Sequence, residues 1–218
     1  MPQSCIFCQY NGATHLHSDD TRHEYKRDYF HCAECNVIFV PPDQRLSPQQ
    51  EFQRYELHEN SPVDPEYRAF LSRLFEPVNS RLKPASRGLD FGSGPGPTLS
   101  VMFEEAGHDM ALYDVFYANR PKVFRDQYDF ITTSETAEHL FHPLEEFERL
   151  WNCLKPGGIL GIMTQLYPDN NTFKDWHYKN DDTHVVFYSH KSFRWLGKRW
   201  EAEPEFIGND VILFLKPL

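Results

Sequence analysis

Gly88-Leu-Asp-Phe-Gly-Ser-Gly-Pro-Gly96 decides how this chain folds: an apolar strand ends in an acidic residue, then a glycine-dense turn opens straight into a helix. A backbone that must pass close to a ligand and take positive φ angles cannot carry β-carbons there, which is what Gly92, Gly94 and Gly96 provide. Pro97 stands at the expected first helical position. Leu99, Met102, Phe103 and Ala106 then repeat at helical spacing, and Gly107 supplies a stop. A glycine loop between a strand and a helix brings free N–H groups and a helix N-terminus to one point, where a polar or anionic ligand is held. The spacing Gly92-x-Gly94-x-Gly96 differs from the G-x-G-x-x-G dinucleotide fingerprint, and Asp90 stands two residues before the first glycine.

Outward from the loop, Met110-Ala-Leu-Tyr113 reads as a second strand ending in Asp114, 24 residues after Asp90. The spacing of a ribose-binding acid is about 20 residues. Tyr128-Asp-Phe-Ile-Thr-Thr-Ser134 reads as another strand and leads into Glu135, Glu138 and His139. Leu154-Lys-Pro-Gly-Gly-Ile-Leu-Gly-Ile-Met163 reads as a turn and a further strand.

In this order the four segments resemble the class I S-adenosylmethionine-dependent methyltransferases. The resemblance implies an α/β fold: a Rossmann-like, mostly parallel seven-stranded-type sheet with one antiparallel edge and helices on both faces. It implies that S-adenosyl-L-methionine is the cofactor, that Asp90 reaches the methionine amino group, and that Asp114 takes the ribose hydroxyls. Gly92, Ser93, Gly94 and Gly96 of the loop, Val115 and Phe116 beyond the ribose acid, and Ser134 and Glu135 at a strand end complete the candidate cofactor set. Residues 115–128 are too short and too rich in Arg, Lys and Pro for a full helix and a third strand, so one element is expected to be abbreviated.

Ahead of this domain, Cys5-x-x-Cys8 and Cys32-x-x-Cys35 are separated by 23 residues. Two such knuckles bring four thiolates to a tetrahedron, the closed shell of structural zinc. The competing reading is a pair of reduced or redox-active thiols. His15, His17, His23 and His31 are alternative ligands, although four cysteines already complete the shell. The segment resembles the N-terminal zinc-binding modules of some of these methyltransferases. A small zinc ribbon over residues 1–45 is therefore expected before a methyltransferase domain over 46–218, with leading helices within 48–82. Pro41, Pro42 and Pro48 mark the boundary. Cys153 falls in a helical pattern and reads as a buried small side chain.

The chain has 22 basic and 32 acidic residues and a net charge of −10, which disfavours a broad nucleic-acid surface. A small-molecule methyl acceptor is the more natural partner, with RNA and sugar nucleotides as the alternatives that the ribbon brings to mind. No apolar run approaches a membrane span and no signal-peptide core is evident at the N-terminus, so a cytoplasmic location is expected.

Methyl transfer is an in-line displacement that needs alignment and exclusion of water, and a base when the nucleophile is a hydroxyl. Glu135, Glu138 and His139, at i, i+3 and i+4, share a face of one short turn. Residues 164–185, rich in aromatics that include Trp176, His177 and Tyr178, are expected to wall the acceptor. His139 and His184 are the candidate catalytic residues. Several histidines near the pocket favour an oxygen nucleophile over nitrogen or carbon. A domain that binds the cofactor without catalysis is the second reading.

Overall fold

The computed structural model describes residues 3–20, 26–56 and 60–218. Near the N-terminus each cysteine pair makes the same turn. Gln9 N–H bonds the Cys5 carbonyl and Asn36 N–H bonds the Cys32 carbonyl, and both Gln9 (φ 62°) and Asn36 (φ 55°) take the left-handed conformation just after the second cysteine. Strands β1 (Thr14–Asp19) and β2 (Arg27–His31) pair antiparallel, and β3 (Ile38–Phe39) follows the second knuckle beside β2. His23 lies outside the described residues.

Two helices come next. Helix α1 (Pro48–Tyr55) starts at a Ser47/Gln50 capping box with Pro48 as its first residue. Helix α2 (Pro65–Asn79) is capped by Asp64, whose carboxylate accepts from the N–H groups of Glu66 and Tyr67; its buried stripe is Leu71, Leu74 and Val78. Leu57, the expected end of the first helix, lies outside the described residues.

The main sheet contains β4 (Arg87–Phe91), β5 (Asp109–Tyr113), β6 (Tyr128–Ser134), β7 (Leu154–Met163), β9 (Glu205–Ile207) and β10 (Val211–Leu215), in the order β5-β4-β6-β7-β10-β9. The first four are parallel, and β10 runs antiparallel to both β7 and β9. The described sheet thus has six strands where the complete pattern has seven. Only the 3-10 helix Pro121–Arg125 stands where a helix and a third strand would be, and it packs only Val123 and Phe124 on the core.

Side chains alternate across this sheet. Phe130, Ile159 and Met163 pack with Leu71 and Leu74 of α2 and with Leu99 and Phe103 of α3 (Thr98–Glu105). Leu89, Ile131, Leu160 and Ile162 pack on the other side, in a core shared with Phe147 and Leu150 of α4 (Pro143–Cys153) and Phe193 and Leu196 of α5 (His190–Trp200). This two-sided burial is why β7 from Ile159 to Met163 is a nearly continuous apolar run. Pro97 caps α3 and is not its first residue, so the helix starts one position later than the sequence predicts.

One further strand ties the two cores together. Strand β8 (Val186–Phe187) pairs antiparallel with β3, Ile38 opposite Phe187 and Phe39 opposite Val186, to give the four-stranded sheet β1-β2-β3-β8. The small sheet therefore takes its fourth strand from the segment that follows β7.

Candidate functional site

The C-terminal ends of β4, β5 and β6 open into a cavity of about 770 Å³, covered by α1 and by the segment before α2. Its glycine-loop half is held by backbone geometry. Gly92 (φ 80°) and Gly94 (φ 63°) take conformations that other residues adopt only under strain, and a β-carbon on Gly92 would run into Thr136. A β-carbon on Gly96 would overlap the backbone carbonyl of Asn60.

Asp114 ties the loop to β5. Its Oδ2 accepts from Gly94 N–H at 2.9 Å, and its Oδ1 accepts from Phe116 and Tyr117 N–H at 2.8 and 3.0 Å. A carboxylate offers about four acceptor positions, so capacity remains for a ligand hydroxyl. Asp90 is only 2% exposed and accepts from Ser100 Oγ at 2.9 Å and Thr132 Oγ1 at 3.5 Å. Burial pushes its carboxyl up to about 6, against the pull of those two hydroxyls. Ser93 Oγ is buried in the loop with no hydrogen-bond partner among the described residues. A buried hydroxyl without a partner, glycines where a side chain would fill the space, and a strand-end carboxylate with spare acceptor capacity fit a nucleoside-bearing cofactor.

Val115 is more than half exposed, at the rim. Phe116 lines the cavity and also packs on Phe52 and Tyr55 of α1, with ring centroids 5.5 and 5.6 Å apart. Ser134 and Glu135 lie on the cavity floor where β6 ends.

The opposite half collects carboxyl groups and imidazoles. Glu135 takes φ 47°, a left-handed conformation unusual for this residue. The Tyr178 hydroxyl donates to Glu138 Oε1 and lies 3.3 Å from Glu135 Oε2. Glu138 is fully buried, its Oε1 lies 3.9 Å from His139 Nε2, and its Oε2 has no hydrogen-bond partner among the described residues. Burial, and then the neighbouring Glu138 charge, push Glu135 up to about 9.

His139 and His184 come together from distant segments, with ring centroids 4.8 Å apart. His139 Nδ1 lies 3.1 Å from the Thr183 carbonyl and His184 Nδ1 lies 2.7 Å from the Tyr178 carbonyl. Since carbonyls only accept, both protons are assigned to Nδ1, which leaves the Nε2 lone pairs free. Burial, and then the neighbouring His139, lower His184 to about 4. Ligand atoms of Glu138, His139 and His184 lie within 4.8 Å of one another, a grouping that can also hold a cation.

The structure corrects part of the expected acceptor wall. None of Trp176, His177 and Tyr178 lines the cavity: Trp176 packs on Phe173 and Phe187, His177 is exposed, and Tyr178 is buried with its hydroxyl on the carboxyl pair. Sequence reasoning missed Asn60, which covers Gly96, and Arg27, which reaches the His184 segment.

At the N-terminus the four sulfurs of Cys5, Cys8, Cys32 and Cys35 lie within 4.8 Å of one another, with Cys5–Cys35 at 3.6 Å and Cys8–Cys32 at 3.4 Å. Zinc–sulfur bonds of about 2.3 Å place tetrahedral sulfurs ~3.8 Å apart. The cluster fits such an ion. His15 and His31 bond Ser18 and Asn36, outside this shell.

A model of the methyltransferase domain matches residues 58–202, well over half of the chain. The chain belongs to this family. No curated protein sequence matches this methyltransferase. Among solved structures it is similar to Burkholderia thailandensis 1,6-didemethyltoxoflavin-N1-methyltransferase, with 14% identity over 86% of this chain and 99% of the other and a TM-score of 0.51; that structure contains 1,6-didemethyltoxoflavin and S-adenosylhomocysteine. It is also similar to Streptomyces venezuelae DesVI, with 15% identity over 80% of this chain and 100% of the other and a TM-score of 0.51. A Pyrococcus horikoshii protein aligns at 17% identity over 76% and 99%, with a TM-score of 0.50. At these identities the likeness shows a shared class I methyltransferase fold.

Proposed function

We propose that this methyltransferase uses S-adenosyl-L-methionine to methylate a hydroxyl group of a small molecule. The observation that carries the reading is the tie between Gly94 N–H and Asp114, which fixes a cofactor loop at one end of a cavity whose other end holds His139 and His184. When bound, S-adenosyl-L-methionine supplies an electrophilic methyl group on sulfonium. Asp90 and Ser93 would hold its amino-acid part, Asp114 would accept from the ribose, Val115 and Phe116 would border the base, and Ser134 with the Glu135 main chain would form the floor. With donor and acceptor bound, His139 Nε2 would accept the proton that the acceptor hydroxyl gives up on methylation. His184, uncharged near neutral pH because it is buried, orients that exchange from the side.

The four cysteines hold a structural zinc ion in this reading. A closed thiolate shell leaves no open position for chemistry. Reduced cysteines used in this way suit the cytoplasm. Among the described residues no helix is long and apolar enough to cross a membrane, and the net charge of −10 argues against nucleic acid as the acceptor.

Calorimetry with S-adenosylhomocysteine tests the cofactor assignment: binding by the parent and its loss in Gly96→Ala are expected, and no binding by the zinc-loaded parent would overturn it. The abbreviated segment 115–128 motivates the second reading, a cofactor-binding module without catalysis. Donor binding with no methyl transfer to any of a broad acceptor panel would favour that alternative.

A further inference from the structure

Among the described residues no lysine or arginine lines the cavity, whereas Glu51, Asp90, Asp114, Glu135, Glu138, Glu146 and Asp181 do. Asp90 and Asp114 belong to the cofactor half, and Glu146 pairs with Arg149 at 3.0 Å. The others surround the place left for the acceptor. Glu138 is fully buried, its Oε2 is without a hydrogen-bond partner among the described residues, and it shares the Tyr178 hydroxyl with Glu135. A buried carboxylate that among the described residues accepts a hydrogen bond from one phenol alone, with the His139 ring 3.9 Å away, gains from a further donor. Glu135 is held at φ 47°, where glycine or asparagine would be easier, so its side chain is kept beside Glu138 against backbone preference. Aromatic faces border the same space: Tyr55 and Phe116 line the cavity, and Tyr55 meets the His139 ring at 5.4 Å.

An acidic and aromatic-walled space without lysine or arginine among the described residues complements a cation that carries N–H donors, and it repels carboxylate and phosphate groups. Building on the methyl-transfer reading, we propose that the acceptor carries a protonated nitrogen that docks against Glu138 and Glu135 while its hydroxyl faces His139. The acceptor class is then an aminoalkyl phenol or a similar cationic hydroxy compound, and acceptors that present an acidic group are excluded.

The test compares three probes that share a phenol and differ in charge, namely tyramine, para-ethylphenol and para-hydroxyphenylacetate, each titrated by calorimetry into protein saturated with S-adenosylhomocysteine. Tyramine is expected to bind about tenfold or more tightly than para-ethylphenol, and para-hydroxyphenylacetate more weakly than either. In Glu138→Gln the preference for tyramine should fall close to one while S-adenosylhomocysteine affinity stays at the parent value. If Glu138→Gln does not fold, Glu135→Gln is the second variant for the tyramine preference, with its S-adenosylhomocysteine affinity followed separately because Glu135 also borders the cofactor. Tyramine that binds no better than para-ethylphenol, or a preference that survives in these variants, would overturn the proposal. So would a divalent metal ion, found beyond one zinc per chain and lost in Glu138→Gln, because it would fill the cation position. Failure to bind S-adenosylhomocysteine would instead bring down the underlying methyl-transfer reading, a separate and visible outcome.

Discussion

Arg27 of β2 donates from Nη2 to the backbone carbonyl of His184, so a residue of the small N-terminal sheet holds the segment that carries a candidate catalytic imidazole. The same guanidinium donates to the Asp181 carbonyl at 2.9 Å, lies 3.6 Å from the Asp182 carboxylate and is only 1% exposed. Hydrogen bonds made by a charged donor are worth about 1.5–3 kcal/mol each, and removing Arg27 leaves buried carbonyls unpaired. Arg27→Met is expected to lose about 3 kcal/mol of stability in urea unfolding, with Arg27→Lys in between. A loss below ~1 kcal/mol would mean that the contact does not hold the segment.

The three loop glycines are predicted to differ. At Gly94 a β-carbon would meet nothing nearer than Asn60 Nδ2 at 3.8 Å, so Gly94→Ala bears only the strain of φ 63°, about 1–2 kcal/mol. At Gly92 the Thr136 side chain is in the way, and at Gly96 the Asn60 backbone is. Side chains rotate away more readily than a backbone segment shifts. Loss of S-adenosylhomocysteine affinity should therefore be largest for Gly96→Ala and smallest for Gly94→Ala, as read by calorimetry alongside thermal unfolding. The reverse order would show that Asn60 does not pack on the loop in solution.

The loop, its two strands and Asp114 are legible in the sequence because each depends on near neighbours: alternation within a strand, glycine in a turn, a cap at a helix start. The cysteine cluster is legible for the same reason, since each knuckle is a local turn repeated. Other parts of the site depend on pairs far apart in the chain. Nothing local to Arg27 announces a carbonyl partner at His184, and nothing near Asn60 shows that its backbone will cover Gly96. The positive φ of Glu135 is equally hidden, because the residue type argues against it and only the packing of Tyr178 and Glu138 around it explains the conformation. Trp176 and Tyr178 are both aromatic residues of one loop, and neither lines the cavity: Phe173 and Phe187 take up Trp176, whereas Tyr178 carries its hydroxyl to the buried Glu138.

Removal of the metal is predicted to be felt beyond the cysteines. Asn36, in the second knuckle, donates to Tyr167 Oη at 2.8 Å and Ser189 Oγ at 2.7 Å, and Val40 N–H bonds the Val185 carbonyl at 2.9 Å. Cys32→Ser should carry about one zinc fewer per chain, since structural zinc supplies folding energy to small modules. Hydrogen exchange should quicken at Val185, Val186 and Phe187 while α3 and β4 stay protected. Unchanged metal content would remove the four-cysteine site, and unchanged exchange at β8 would show that the two sheets are not coupled.

Asp90 gives stability a pH dependence whose sign can be worked out. Its carboxyl sits at about 6 in the folded protein against an ordinary value of 3.8, so the folded state binds the proton more tightly. Stability from this group is fully present below pH ~4 and is lost as pH rises towards ~6, a change of about 3 kcal/mol. His184 works in the opposite direction: held near 4 against 6.5, it favours the folded state as pH rises through that window. The total profile mixes the two effects, so the informative quantity is the difference between parent and Asp90→Asn. The variant cannot ionise there, and its stability relative to the parent should rise by about 3 kcal/mol between pH 4 and 7 in urea titrations at matched ionic strength. A difference independent of pH would show that Asp90 is not held in the buried pair of hydroxyl contacts with Ser100 and Thr132.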